Sequence, residues 1–509
     1  MSWTPGAGAL NLGEPPAEGF GEADVDLSGD AVIVGSGPGG AAAARELTLR
    51  GMSVVLLEEG PPKSRFARNY ATAMRHHMQE GGAMVATGTG YLPIAAGRGI
   101  GGGSLINSAI AWRAPDAVLD AWTPLLGHDR FGARAMAPVY DALWEMLGIG
   151  VNRVEVMGRN NAIVVEGAAK LGIEGGYLER ATPGCVGCGV CYYGCPTQGK
   201  ASVNLNLVAD AVAGGARIQA DCKVDVIEVE GDRAVGVRGR LQDPDTRAWG
   251  GTVRVRATHI VIAAGGVGTP RLLHHAGLAA RLGPAVGEGL HLHPGSAVLG
   301  FHPEPVELWK GATQGAYFHP PDLPGVLPHS FSAPPEACLA AMEAVGPRLK
   351  EGIARMRHLC GLVVMVSDTG TGTVRAWPDG RARISYTFAE DDIRRIRAGM
   401  VWSARVLLAG GVTEIFAPVH GLGRMDSAEE MERRLAMKDF AAFTLYASHP
   451  MSSCRMGADP ATSVVRPDGR AHTVENLWIA DSSVFPTSLG VNPSITTMAL
   501  AALIARGIA

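Results

Sequence analysis

Four cysteines fall within eleven residues, in Cys185-Val-Gly-Cys188-Gly-Val-Cys191-Tyr-Tyr-Gly-Cys195-Pro196. The C-x2-C-x2-C-x3-C-P spacing is that of an iron–sulfur loop, where thiolates on a Gly-rich turn face one cluster. In such runs the fourth Cys serves a second cluster, so a single cluster needs a remote ligand. Cys222, Cys338, Cys360 and Cys454 are the candidates. The same loop also suits packed or disulfide-bonded thiols, or zinc. Cys185, Cys188, Cys191 and Cys195 are therefore candidate metal ligands with three readings open. A second pair, His291 and His293, has no further ligand close in sequence and reads as structural rather than metal-binding.

A different chemistry starts at Asp30. Asp30-Ala-Val-Ile-Val-Gly-Ser-Gly-Pro-Gly-Gly40 is an apolar strand running into a Gly-rich turn, and residues 41–49 read as a helix. Residues 53–58 form a second apolar strand ending in Glu58. Gly35, Gly37 and Gly40 make G-x-G-x-x-G. The first permits the tight turn, the second lets backbone approach a pyrophosphate, and the third lets helix and strand close up. The helix N-terminus faces the phosphates. Glu58 is placed to accept from ribose hydroxyls.

These elements need a large scaffold. The chain has 509 residues, long enough for two or more domains. Its net charge of −4, with no long basic run, argues against a nucleic-acid binder. Gly is abundant, at 69 residues, and clustered, as expected where backbone approaches a ligand. Apolar runs are far shorter than the ~18 residues of a membrane span. Residues 1–28 read as a flexible arm without signal-peptide architecture, which gives a cytoplasmic expectation and leaves peripheral membrane association open.

Three further stretches carry a resemblance. Gly97-Arg-Gly-Ile-Gly-Gly-Gly-Ser-Leu-Ile-Asn107 resembles the first signature of the glucose–methanol–choline flavin oxidoreductases, and Ala263-Ala-Gly-Gly-Val-Gly-Thr-Pro-Arg-Leu-Leu273 the second. Ile479-Ala-Asp-Ser-Ser-Val-Phe-Pro486, followed by Gly490-Val-Asn-Pro-Ser-Ile-Thr496, resembles the closing segment. The resemblance runs in order from about residue 30 to the C-terminus, and its nearest branch looks like the long-chain alcohol oxidases. It implies an FAD cofactor, bound through the three fingerprint glycines, Glu58, Arg98, Gly102, Gly103, Ser104, Asn107, Val224, Asp481, Ser482, Asn492 and Pro493. Some members attach FAD through a His in the first signature. Ile106 stands there in this chain, so non-covalent FAD is expected.

Ser448-His-Pro-Met-Ser-Ser-Cys-Arg-Met-Gly457 resembles the segment that supplies the family's catalytic His, and Asn492 before Pro493 its partner. The resemblance thus gives His449 as base for an alcohol proton and Asn492 as the group that orients the oxygen. The flavin accepts the hydride. Bacterial members carry a Cys-rich stretch like Gly194-Cys-Pro-Thr-Gln-Gly-Lys200. An iron–sulfur cluster in that loop would favour electron transfer outward, and its absence would leave an oxygen-using oxidase open.

The expected fold is α/β: a Rossmann-type FAD-binding domain of discontinuous chain, with an α+β substrate domain of sheet and helices. Residues 29–115, 200–295 and 441–509 are assigned to the first, 296–440 to the second, and 116–199 to a connecting or lid region with the Cys loop. Strand-like runs at 216–235, 252–262, 359–367 and 380–387 and helical ones at 335–357 and 390–408 fit this division. Met356, Met365 and Phe388 read as core more than as substrate wall. The expected substrate is a hydrophobic primary or secondary alcohol, a small molecule, with oxygen or another electron acceptor. A sugar or sterol dehydrogenase on the same fold, a flavin/iron–sulfur electron-relay subunit, and a non-redox lyase or isomerase are the rivals.

Overall fold

The computed structural model describes residues 13–62, 69–342 and 344–508. The first dozen residues of the expected arm lie outside that range.

A seven-stranded sheet forms the dinucleotide half. Its order is Arg217–Gln219, Val54–Leu57, Val25–Val34, Trp249–Ile262, Arg233–Gln242, Cys222–Glu230, with Leu477–Ile479 also pairing to Trp249–Ile262. The pairs that contain Val25–Val34, Val54–Leu57 or Leu477–Ile479 are parallel, and the last two strands of the path close antiparallel. The four residues of Val54–Leu57 are all buried, as expected where helices cover both faces of a parallel sheet. Register decides where the loops emerge. Val34 pairs with Leu57 and with Ile262, and Ile262 pairs with Ile479. The loops that follow these four residues therefore open at one edge, the crevice where such sheets bind ligands.

The expected loose arm is corrected here. Val25–Val34 begins inside it, Glu18 bridges to Gln219, and the Phe20 amide donates to the Asp221 carboxylate at 3.1 Å. Apolar Ala17 and Phe20 pack against the core, which holds residues 17–28 on the sheet.

A six-stranded antiparallel sheet forms the other half, in the order Glu414–Phe416, Gly295–Phe301, Leu359–Val366, Val326–Ser330, Ala316–Phe318, Gly175–Tyr177. Helices Glu390–Ala409 and Arg159–Leu171 pack on it. A five-stranded sheet from Glu288–Leu290 to Leu92–Pro93 draws its strands from both halves of the chain and supplies part of a second core with the helices. Among the described residues, no helix is long and apolar enough to cross a membrane.

Candidate active site

One cavity of about 600 Å³ joins the two halves, lined by Gly35, Gly37 and Glu58 at one end and by Phe331, Pro334 and Met365 at the other. His449 and Asn492 line the same cavity.

The dinucleotide end is built from backbone. Gly35 sits at φ +103°, and a Cβ there would lie 2.4 Å from the Ala263 carbonyl oxygen. Helix Pro38–Leu49 starts at Gly37 without a side-chain cap, so its first N–H groups are left for a ligand. A Cβ on Gly103 or Gly265, both on the cavity wall, would meet nothing within 4 Å. These glycines therefore present bare backbone to open space of the kind a pyrophosphate and a flat ring require.

Glu58 is buried and lines the cavity, but its carboxylate already accepts from the Ser36 amide and hydroxyl and from the Gly60 and Gly99 amides, at 2.7–3.1 Å. Burial pushes its pKa up, against those hydrogen bonds. It fastens the fingerprint to the 97–107 segment. Neighbouring Glu59, also on the wall and 3.4 Å from Arg271, is a cavity carboxylate that the motif spacing passed over. Asp481 accepts from the Gly265 amide at 2.8 Å and the Thr269 hydroxyl at 2.5 Å, and Ser482 donates to the Pro450 carbonyl at 2.8 Å. The closing segment is thus tied to the second signature and to the residue after His449.

Gly102, Asn107, Val224, Asp481, Ser482 and Pro493 line the cavity. Gly40, Arg98 and Ser104 do not. Gly40 meets the Gly35 carbonyl, where a Cβ would come within 1.8 Å. Arg98 donates to the Glu59 carbonyl and Ser104 to the Gly101 carbonyl. They shape the wall from behind.

His449 lies in an extended stretch pinned on both sides. The Ala95 amide donates to the Ala447 carbonyl, and Met451 exchanges two backbone bonds with His291. Pro450 keeps His449 extended. Its Nε2 is 3.1 Å from Asn492 Nδ2, and its Nδ1 is 3.3 Å from His293 Nδ1. The Gly490 amide donates to His293 Nε2 at 2.9 Å. Burial first, then His293 and His329, hold His449 well below the ordinary histidine range, with Asp368 opposing. Burial likewise takes His293 down to about 4. All three imidazoles are neutral near pH 7.

Asp368 sits under this group. It accepts from the Leu292 amide, the Tyr386 hydroxyl and the Ser488 hydroxyl at 2.6–2.8 Å, and His291 is 3.5 Å away. Burial alone would raise its pKa, but His291, His293 and Tyr386 hold it well below the usual carboxylate range. Sequence reasoning missed Asp368, and took His293 as merely structural. Neither has a local pattern to betray it, because the Leu292 amide lies 76 residues before Asp368 and His449 lies 156 residues after His293. Met365 lines the cavity, whereas Met356 and Phe388 are core.

The cysteine loop does not assemble a cluster. Among the described residues, no three His, Cys, Asp or Glu side chains gather to hold a metal ion, and the eight cysteines are free thiols. The structure gives the metal reading no support and shows the loop packed, with its thiols unpaired. Its anchor is Lys200, 1% exposed, whose Nζ donates to the carbonyls of Leu105 and Asn107 at 2.8–2.9 Å and of Cys191 at 3.3 Å. Arg180 donates to the Ser108 carbonyl and lies 3.6 Å from Cys191 Sγ. Burial would raise the Cys191 thiol, but Arg180 and Lys200 bring it below its ordinary value. The loop braces the 105–108 wall of the cavity.

Comparison with known proteins agrees with this geometry. Family models described as GMC oxidoreductase match residues 74–295 and 366–501, and one described as an FAD binding domain matches residues 30–87. The chain belongs to the GMC oxidoreductase family. It is 34% identical to the "Uncharacterized GMC-type oxidoreductase Rv0492c" of Mycobacterium tuberculosis, over 94% of this chain and 75% of that protein. It is 28% identical to the Arabidopsis thaliana "Long-chain-alcohol oxidase FAO1", over 94% of this chain and 66% of that one. Among solved structures, pyridoxine 4-oxidase from Mesorbium loti has the same fold, with a TM-score of 0.70 at 20% identity over 94% of this chain and 98% of that one. The protein is therefore an FAD-binding oxidoreductase acting on CH–OH groups, and the bare glycine wall fits FAD.

Proposed function

We propose that the protein oxidises a hydrophobic primary or secondary alcohol to the aldehyde or ketone, using non-covalent FAD. One observation carries this reading. The cavity that holds the glycine wall, His449 and Asn492 is also lined by Ile110, Phe331, Pro334, Ala337, Val363 and Met365. Such a wall favours an alkyl or ring-bearing alcohol over a sugar, whose hydroxyls would be left unpaired there. The long-chain alcohol oxidase likeness supports the same substrate class.

When bound, FAD takes the hydride from the carbinol carbon. This chain's residues do the rest. Asn492 orients the hydroxyl oxygen. The hydroxyl proton goes to a neutral imidazole, for which the sequence pattern offers His449. The apolar wall excludes water and strengthens each of these hydrogen bonds. Ile106, on the cavity wall, offers no nucleophile for a covalent flavin link. Electrons then leave to oxygen or another acceptor.

The test is a substrate panel with acid precipitation. The expected result is turnover of medium- and long-chain alcohols well above that of sugars, with yellow flavin left in the supernatant. Preference for sugars, or flavin retained in the pellet, would contradict the corresponding part of the reading.

A further inference from the structure

Asp368 lies just past the end of strand Leu359–Val366 and is buried, and the proton transfer described above makes no use of it. A buried carboxylate is costly unless it is hydrogen-bonded. This one accepts from four donors, and they divide between its two oxygens. Oδ2 takes the Leu292 amide at 2.8 Å and the Tyr386 hydroxyl at 2.6 Å. Oδ1 takes the Ser488 hydroxyl at 2.8 Å and the His293 amide at 3.4 Å. One carboxylate thus joins two segments that are far apart in sequence, one carrying His293 and the other carrying Asn492.

The first segment needs the support. His293 sits at φ +49°, in the left-handed region. A residue other than glycine keeps that conformation only where its surroundings hold it. The two amides that lead into it, of Leu292 and His293, both donate to Asp368. The carboxylate therefore fixes the turn that aims the His293 ring.

The second segment starts from Ser488. Two residues on, the Gly490 amide donates to His293 Nε2 at 2.9 Å, so the segments meet again beyond the carboxylate. Asn492 follows, with its Nδ2 3.1 Å from His449 Nε2. On the other side of the same ring, His293 Nδ1 is 3.3 Å from His449 Nδ1. Both ring nitrogens of His449 are met by arms that Asp368 ties together.

We propose that Asp368 is a positioning residue for the oxidation: through Ser488 and the 292–293 turn it sets Asn492 and His293 against the two sides of the His449 ring. This rests on the alcohol-oxidation reading. Proton transfer needs the imidazole within hydrogen-bond reach of the hydroxyl, and a misplacement of about 1 Å costs roughly a hundredfold in rate. Asp368 acts only through the two arms. Loss of either tie lets the ring drift without removing any group that touches the alcohol. Asn in place of Asp368 keeps the shape but turns one acceptor oxygen into a donor, so one segment loses its acceptor.

The experiment compares FAD-loaded wild type with Ser488→Ala, Ser488→Thr and Asp368→Asn, using decanol in anaerobic stopped flow. In Ser488→Ala the limiting rate of flavin reduction falls roughly ten- to a hundredfold. FAD content and the decanol concentration that gives half the limiting rate stay at wild-type values. Ser488→Thr keeps the hydroxyl and restores the rate. Asp368→Asn falls at least as far as Ser488→Ala, and adding Ser488→Ala to it costs little more, because both cut one tie. With 15N-histidine label, the ring signals of His293 and His449 move in Ser488→Ala and return in Ser488→Thr, which a general loss of stability does not produce. A Ser488→Ala rate within about twofold of wild type, a slower rate that Thr does not restore, or unmoved ring signals overturns the proposal. If Asp368→Asn fails to fold or to hold FAD, the Ser488 pair decides. A wild-type flavin that no alcohol reduces would instead sink the alcohol reading, and the ring signals would still report on the tie.

Discussion

The two ends of one cavity are made in different ways. The dinucleotide end is backbone: Gly35, Gly37, Gly103 and Gly265 present main chain where a side chain would intrude or obstruct. The proton end is side chain: His293, His329, His449 and Asn492 come from separate segments spread over 200 residues, with Asp368 beneath. Backbone sites follow from spacing along the chain and strand register. Side-chain sites follow from how distant strands pack. The two ends should therefore fail separately, and substitutions can break or sharpen that division.

The largest effect is expected at the proton end. His449→Ala should slow flavin reduction by roughly 10²–10⁴-fold, whether the ring accepts a proton or donates to the oxygen. Its FAD content should match wild type. Loss of FAD alongside activity would erase the distinction between the ends.

The mirror experiment is Gly35→Ala. At φ +103°, with the Ala263 carbonyl 2.4 Å from the new Cβ, the turn has to deform. Purified protein should hold less than a tenth of the wild-type flavin, read from its visible-to-protein absorbance ratio. Full occupancy would show that the turn tolerates a side chain.

Lys200→Met probes the brace between the ends. Charge-assisted hydrogen bonds are worth about 1.5–3 kcal/mol, and this buried ammonium makes two close ones to the 105–107 wall. A stability loss of that order in urea unfolding is expected, with weaker FAD retention. Cys188→Ser, at an exposed position, should leave stability, FAD and turnover unchanged. A large Cys188 effect accompanied by bound iron would restore the cluster reading.

The smallest effect is that of mild acid. An ordinary histidine protonates near 6.5. His293 and His329 are held at about 4, and His449 well below its ordinary value. Lowered values keep the neutral rings at lower pH, so activity is lost only as pH falls toward those values. The rate of flavin reduction should change less than twofold between pH 8 and 6. A half-loss near 6.5 would mean that the proton end is more solvated than its burial indicates.

This contrast also explains what could be read from the sequence. The α/β class, the strand–turn–helix around Gly35 and the helix at Glu390–Ala409 were legible, because each rests on local periodicity and glycine spacing. His449 and Asn492 were legible only through resemblance, and the structure brings them to 3.1 Å. Glu58 lines the cavity wall, but its four hydrogen bonds to Ser36, Gly60 and Gly99 could not be foreseen from its distance past the last glycine. The cysteine spacing left several readings open for the complementary reason. Regular spacing fixes which thiols are near along the chain, while side-chain direction decides whether they converge. Here Cys191 is buried beside Arg180 and Cys188 faces outward.

The most direct measurement is an anaerobic visible spectrum of the FAD-loaded protein during addition of medium- and long-chain alcohols. The account predicts bleaching of the flavin bands with each hydrophobic alcohol that fits the cavity, and no underlying brown absorbance from a cluster. Flavin bands that no alcohol moves, in protein with full FAD content, would contradict it.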